Sequence, residues 1–513
     1  MQQLESDIVV ISAGTAGLAA TVTAAEAGAR VIVFEKLAHT GGTGNVGSMV
    51  IGTGSSLQKR NGINVTSGEV WRNHMDYTHW RADARLVKAF YDKSGSTIDW
   101  LEKLGVQFRD MGQMPMGRTG FQVTHGVIGG SYSMMKVLAN RARELGVQIF
   151  LRTPVREIIK EGNRVTGVIA QNVLNQEEYR AKAKAVIIAT GGFGSNTEMI
   201  KKYTGFEWGK DLFSFKMPGT TGDGIRMAWE IGAAPSEMMM QLVFSLPIPY
   251  HGAMGTSSEF MILSRPNLMV NLLGERFINE EIISNTTFGG NAIARQKGRC
   301  GFMIIDEDTR KALEAEPSPF PGGPPRGSGG RNLSMPPDLE AFLRETHLDF
   351  VFEKQAADKP GDLAVSIKAA RDKGYKYLFM ANSLEELSEQ TGIELDGLKK
   401  TVEEYNNFCA KGHDDIFEKD PKHLRPIKKP PFYAAQFFPA AYGTLGGIRV
   451  NYKMEVLDNE YHPIPGLYAA GTDVAAIYGD SYTRHLGGNT QGFCINSGRM
   501  AGESAAAFVK TIH

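Results

Sequence analysis

The sequence predicts an α/β fold built on a parallel sheet and interrupted by an insertion, on three observations. A strand, glycine turn, helix and strand open the chain. Two further buried-strand runs ending in glycine recur near residues 185 and 466, and a long stretch of different texture lies between them. In the opening unit, Asp7-Ile8-Val9-Val10-Ile11 is a short apolar, β-branched run followed by Gly14 and Gly17 and then an alanine-rich stretch over residues 18–27. Gly28 ends that helix, and Arg30-Val31-Ile32-Val33-Phe34-Glu35 is a second strand closed by a carboxylate. A βαβ unit requires parallel strands.

Ala185-Val186-Ile187-Ile188-Ala189 runs into Thr190-Gly191-Gly192, and Gly466-Leu467-Tyr468-Ala469-Ala470 ends at Gly471. Ligands of open α/β sheets sit beyond the carboxyl ends of the strands, so three such ends imply one shared site and a meeting of the chain's first and last segments. The divisions expected are 1–239 and 436–513 as one domain in two parts and 240–435 as the insertion, which is methionine-rich and irregular. Within the insertion, Glu314 to Pro325 carries prolines and glycines that preclude regular structure. Helical patterns follow at residues 384–390 and 395–408.

With 513 residues the chain exceeds the ~250–300 at which single cores stop growing. Lysine plus arginine and aspartate plus glutamate both total 56, which provides no basic field for nucleic acid. Cys300, Cys409 and Cys494 form no C-x-x-C pattern and no Cys/His cluster, so neither a disulfide framework, a c-type haem nor a metal site is expected. The polar start lacks a basic region followed by an apolar one, and no apolar run reaches ~18 residues, so the chain reads as cytoplasmic with no membrane span.

Ser12-Ala13-Gly14-Thr15-Ala16-Gly17 is a dinucleotide fingerprint whose first glycine is a serine. Such glycines let the backbone turn tightly and approach a pyrophosphate at a helix N-terminus. Glu35 lies near the ~20-residue spacing expected of a carboxylate that accepts ribose hydroxyls. More backbone donors come from Thr40-Gly41-Gly42-Thr43-Gly44-Asn45, Thr190-Gly191-Gly192-Phe193-Gly194 and Gly219-Thr220-Thr221-Gly222-Asp223-Gly224.

Together with Pro465 to Gly471 and Leu486-Gly487-Gly488-Asn489, these segments resemble the flavoprotein family of fumarate reductases and succinate dehydrogenases, which includes the 3-ketosteroid dehydrogenases. The resemblance spans nearly the whole chain. It implies FAD in a Rossmann-like domain interrupted by an α+β substrate-capping domain. Carried over by position, Ser12, Gly14, Ala16 and Gly17 meet the pyrophosphate, Glu35 with Lys36 the ribose, and Gly41, Gly42 and Thr43 the pyrophosphate and flavin. Val155 holds the adenine through its backbone, Gly471 and Thr472 face the ribitol, and Thr190, Gly191, Gly192, Asp223, Asn489 and Thr490 complete the cofactor set. Members with haem carry C-x-x-C-H; this chain has none, so its electrons come from NAD(P)H, a free flavin or a separate redox partner.

Fumarate reductases clamp two carboxylates with arginines and histidines. In this sequence those positions are Ser284, Gly443 and His485, which argues against fumarate as the small-molecule substrate. The segment Gly479-Asp480-Ser481-Tyr482-Thr483-Arg484-His485 looks instead like ketosteroid dehydrogenases, whose tyrosine near the flavin binds a substrate carbonyl. Tyr482 is expected to polarise a carbonyl or deliver a proton, with Tyr442 a second candidate. Arg484 or His485 is expected to anchor substrate; an ion pair for Arg484 and a bond to flavin or backbone for His485 are the alternatives. Arg265 falls where relatives place substrate-lining groups, although a structural salt bridge is the better reading, and Met238-Met239-Met240 read as core before pocket.

The function this implies is reduction of an activated C=C bond (enone, enoate or aryl-conjugated alkene) by hydride transfer from flavin N5, with protonation by a side chain. The alternatives are a 3-ketosteroid-type dehydrogenase and a non-catalytic electron-transfer flavoprotein.

Overall fold

The computed structural model describes residues 1–111, 120–247, 263–315, 343–344, 363–372, 374–474 and 476–512. Strand Ile8–Ile11 is buried throughout, helix Thr15–Glu26 follows, and strand Val31–Phe34 lies parallel to the first. Strand Ala185–Ile188 pairs on the other side of Ile8–Ile11 and strand Pro463–Ala469 lies beyond it, both parallel. Strand Gln148–Phe150 extends the sheet beside Val31–Phe34, and Glu455–Leu457 closes the opposite edge antiparallel. Near-continuous apolar runs are what a sheet buried on both faces requires.

The register aligns the carboxyl ends. Ile11 faces both Phe34 and Ile188, and Ile188 faces Ala469, so three glycine-rich segments from distant parts of the chain emerge along one edge. The last helix, Asn489–Val509, crosses the first at very short range. A Cβ on Gly498 would come within 2.3 Å of the Ala16 carbonyl oxygen, and one on Gly502 within 2.6 Å of that of Ala20. Only glycine permits this approach. The polar start is itself a strand, Gln2–Glu5, at the edge of a smaller sheet with Glu178–Lys182, Arg164–Gln171 and Val155–Glu161.

The spine of the inserted part is the 17-residue strand Phe432–Ile448. It pairs antiparallel with Pro235–Ser245, Gly301–Ile305 and Leu378–Ala381, and parallel with Phe213–Ser214. The expected cuts after 239 and 435 fall inside two of these strands, where Met239 is paired with Leu445 and Ala435 with Leu378. One apolar cluster runs from Ile8 to Met240 and resumes at Ala441, whereas the clusters of the insertion reach from Phe244 to Phe438, with Phe213 joining them. The two cores are thus joined by continuous paired strands. Met240 is buried, and Met238 and Met239 pack on the first core.

The two helices expected in the insertion form at Leu384–Thr391 and Leu395–Lys411. The Pro/Gly stretch needs one correction: Glu314 and Ala315 close helix Glu307–Ala315, because Glu314 pairs with the Arg310 guanidinium one turn back, at 2.8 Å. Residues 316–325 lie outside the described residues. Cys300, Cys409 and Cys494 are free thiols. Among the described residues no helix is long and apolar enough to cross a membrane, and no group of three or more His, Cys, Asp or Glu is placed to hold a metal.

The glycine contact between the first and last helices is testable. Gly502→Val forces a side chain against the Ala20 carbonyl and is expected to destabilise the protein by about 1–3 kcal/mol. The thermal unfolding midpoint should fall accordingly; an unchanged midpoint would show that the helices have room to separate.

Candidate active site

A cavity of about 530 Å³ opens where the three strand ends converge. Its first wall is the turn after strand Ile8–Ile11. Ser12, standing where the fingerprint has a glycine, adopts φ +92°, a left-handed conformation that costs a residue bearing a Cβ on the order of 1 kcal/mol. Its hydroxyl offsets that cost by bonding Glu35 Oε2 at 3.1 Å and accepting from the Gly14 amide at 3.1 Å. Gly14 and Ala16 line the cavity. Gly17 does not: a Cβ there would meet the Ser12 carbonyl oxygen at 2.0 Å, so its part is to let the helix sit against the turn.

Glu35 is buried, and its carboxylate accepts from the amides of Ala13 at 2.6 Å and Leu37 at 2.7 Å as well as from Ser12. Burial pushes its pKa up against those three bonds. Lys36 is paired with Asp223 at 2.5 Å, and the lysine holds that carboxyl below its usual value despite burial. Gly42, Thr43, Val155, Thr190, Gly191, Gly471 and Thr472 line the cavity. Gly41 and Gly192 stand behind it, donating their amides to the Ala13 carbonyl at 2.7 Å and to Asp473 Oδ1 at 2.8 Å.

Two helices begin at this cavity with glycine N-caps that supply no side-chain hydrogen bond: Thr15–Glu26 after Gly14, and Asn489–Val509 after Gly488. Uncapped amides at a helix N-terminus attract anionic groups, and Asn489 and Thr490 lie on the cavity wall. Two such termini, a glycine-lined floor and a buried carboxylate fit an extended dinucleotide.

Elsewhere on the cavity wall three polar side chains meet. The Tyr442 and Tyr482 rings lie 5.9 Å apart, Phe215 stacks on Tyr442 at 6.4 Å, and Arg484 Nε donates to Tyr442 Oη at 3.3 Å. Arg484 opens onto the cavity, is held above its ordinary pKa mainly by Tyr442, and has no carboxylate partner among the described residues. Burial raises the Tyr482 phenol, with Arg484 opposing. Gly443 faces the cavity, and a Cβ there would meet nothing within 4 Å.

Three expected substrate residues lie elsewhere. His485 does not line the cavity; it stacks on Tyr77 at 3.8 Å, its Nε2 faces Asn73 Oδ1, and burial pushes it down to about 3, so it is neutral. Ser284 is exposed at the end of a short helical turn outside the cavity. Arg265 is buried in the insertion, also away from the cavity. The segment beginning at Arg276 is a structural anchor: Arg276 pairs with Glu280 at 2.9 Å and Asp414 at 2.8 Å, and Lys419 pairs with Glu280 at 3.2 Å, all nearly without exposed surface.

Sequence reasoning missed Asp473, whose buried carboxylate accepts from the amides of Thr190, Gly191 and Gly192 and so ties two strand ends together. Its signal was an acidic residue just after the Gly471 turn. Thr444, which accepts from the Phe193 amide at 2.8 Å, and the lining residues Phe215 and Gln241 carried no local signal.

Comparison with known proteins accounts for this geometry. The family model described as FAD binding domain matches residues 7–490. A vinyl phenol reductase of Lactiplantibacillus plantarum is 31% identical over 508 residues, covering 98% of this chain and 96% of the relative. The open conformation of a flavocytochrome c3 fumarate reductase superposes with a TM-score of 0.67 at 26% identity, over 99% of this chain and 79% of that one. A 3-ketosteroid-Δ4-(5α)-dehydrogenase from Rhodococcus jostii RHA1 has a TM-score of 0.70 at 24% identity, over 99% and 98%, a likeness of fold.

The Ser12 turn yields a graded expectation. Ser12→Ala keeps the strain and loses two hydrogen bonds, about 0.5–1.5 kcal/mol each, whereas Ser12→Gly loses the bonds but also the strain. Thermal unfolding of the flavin-loaded protein should place Ser12→Ala below Ser12→Gly, because both lack the hydroxyl and only alanine keeps the strain; the reverse order would show that the left-handed turn costs less than the extra freedom glycine brings to the unfolded chain.

Proposed function

The chain belongs to the FAD binding domain family and is an FAD-dependent oxidoreductase, and from that premise we propose that it reduces a carbon–carbon double bond conjugated to a hydroxyaryl ring. The observation that carries this reading is the open space at Gly443 beside Tyr442, Tyr482 and Arg484. A fumarate-type site needs cationic groups for two carboxylates; this cavity offers one arginine, two phenols and an aromatic wall. The vacancy at Gly443 suits a flat ring, and the phenols suit a single oxygen substituent. The relative named vinyl phenol reductase, similar over nearly the full length of both chains, supports the same class.

Bound FAD supplies the hydride from N5. The uncapped helix turns at Gly14 and Gly488 would hold its negative groups, and Glu35 its ribose hydroxyls. Arg484 and Tyr442 form one polar unit that stabilises negative charge developing on a substrate oxygen. Phe215, stacked on Tyr442, gives the ring's side of the cavity an aromatic wall.

Dithionite-reduced enzyme, mixed anaerobically with a panel of hydroxystyrenes, enones, enoates and fumarate, should have its flavin reoxidised by a hydroxystyrene and not by fumarate. If no conjugated alkene reoxidises it, the reading fails; bleaching of the oxidised flavin by a saturated 3-ketosteroid would reverse the direction assigned. Gly443→Leu fills the proposed ring space and should raise the half-saturating hydroxystyrene concentration at least ~10-fold, equivalent to about 1.4 kcal/mol of lost binding. An unchanged value would place the ring elsewhere.

A further inference from the structure

Among the described residues Arg484 is a cation on the cavity wall without a counter-charge. Its place is fixed by two bonds to one carbonyl: the Tyr482 carbonyl oxygen accepts from the Arg484 amide at 2.8 Å and from the hydroxyl of Thr287, on helix Thr286–Ala294, at 2.9 Å. The guanidinium carbon lies 5.8 Å from the centre of the Tyr442 ring, and Nε donates to Tyr442 Oη at 3.3 Å. Neither Nη group donates to a described residue. The nearest acid in the sequence, Asp480, is paired with Arg81 instead. The titratable groups that face the guanidinium are Tyr442, from strand Phe432–Ile448, and Tyr482, from its own segment; both are phenols. His485 beside it is neutral and turned to Asn73.

A guanidinium carries five N–H donors and no acceptor, and it does not lose its charge at any pH the protein meets. While the cavity holds water, solvent balances that charge. Once a flavin and an aromatic ring fill the space, the balance falls to whatever the ligand brings. A neutral hydroxyl brings only a dipole, together with a hydrogen that itself needs an acceptor. An ionised oxygen brings the missing charge and three lone pairs, which match the two Nη groups and the Tyr442 hydrogen that no described residue accepts.

We propose that the cavity takes its hydroxyaryl substrate as the aryloxide, with the ionised oxygen held by Arg484 and the Tyr442 hydroxyl. It deepens the hydroxyaryl reading of the same cavity and rests on it. The substrate O–H bond breaks as the molecule binds; the proton leaves to water and the electron pair stays on the oxygen.

Ionisation also selects among ring positions. From an ortho or para position the oxygen's pair is conjugated through the ring with the alkene and raises the electron density of the alkene carbon farther from the ring. That carbon is then the one that takes up a proton in the reduction, which leaves the carbon next to the ring for the hydride. A meta oxygen has no such path. The substrate class narrows to 2- and 4-hydroxystyrenes.

The test is a titration of the oxidised wild-type holoenzyme with 4-ethylphenol at pH values from about 7 to 9, below the ~10 at which a simple phenol ionises. Binding is followed by flavin absorption, and the protons exchanged are counted by calorimetry in two buffers of different ionisation enthalpy. The dissociation constant should fall about 10-fold per pH unit, because rising pH leaves less of the proton's removal to the site, and one proton should be released per phenol bound. A level dissociation constant with no proton released overturns the inference while the hydroxyaryl reading stands. No binding at any pH overturns it too, and if hydroxystyrenes also fail to reoxidise the reduced enzyme, the hydroxyaryl reading falls with it. Arg484→Gln should lose the pH dependence and Arg484→Lys should keep it, with flavin content measured in each; an unchanged pH dependence in Arg484→Gln overturns the assignment to Arg484. With the dithionite-reduced enzyme, 3-hydroxystyrene should reoxidise the flavin at least ~10-fold more slowly than 4-hydroxystyrene. Equal rates overturn the selection of ring position.

Discussion

The close approach of the first and last helices is the constraint on which the rest of this structure depends. Gly498 and Gly502 lie against the backbone of Ala16 and Ala20, which brings residues far apart in sequence into one layer and starts both helices at the same cavity. The turn at Gly14 and the segment that leads into Asn489 are therefore positioned by one contact. Because that contact is backbone against backbone, it leaves little freedom for adjustment.

The inserted part is bound to this frame by continuous strands. Strand Phe432–Ile448 begins in the core of the insertion and ends in the core of the cofactor domain, passing Tyr442, Gly443 and Thr444 along the cavity on its way. A linker at this place would let Tyr442, Gly443 and Thr444 drift relative to the rest of the cavity wall; a paired strand holds them to its register. The buried Arg276, Glu280, Asp414 and Lys419 group secures the insertion internally, and its desolvated charges make it intolerant of losing any one partner.

The fold was largely legible because its signals are local and backbone-based. Buried parallel strands are short apolar runs, and their glycine ends mark where a ligand approaches. Most of the residues expected to meet the cofactor lie on one cavity wall for the same reason, whereas Gly17, Gly41 and Gly192 let backbone segments meet and do not line the cavity. The polar group on the cavity wall was only partly legible. Tyr442, Tyr482 and Arg484 converge there, but their neighbour His485 turns to Tyr77 and Asn73, because successive residues of an irregular segment face different surroundings. Asp473 and Phe215 act through residues hundreds of positions away or in another sheet. The hydrogen bonds from Thr490 through Tyr478, Asn489 and Tyr91 to His74 join parts of the chain hundreds of positions apart, which no motif encodes.

The central claim is that one cavity holds both the flavin and a hydroxyaryl substrate, without a dicarboxylate clamp. Titration of the oxidised holoenzyme with 4-ethylphenol, the saturated counterpart of a hydroxystyrene, tests it most directly, since a ring bound against the flavin perturbs the flavin's visible absorption. The account predicts a saturable spectral change with 4-ethylphenol and none with succinate at equal concentration. A saturable change with succinate and none with 4-ethylphenol would contradict it.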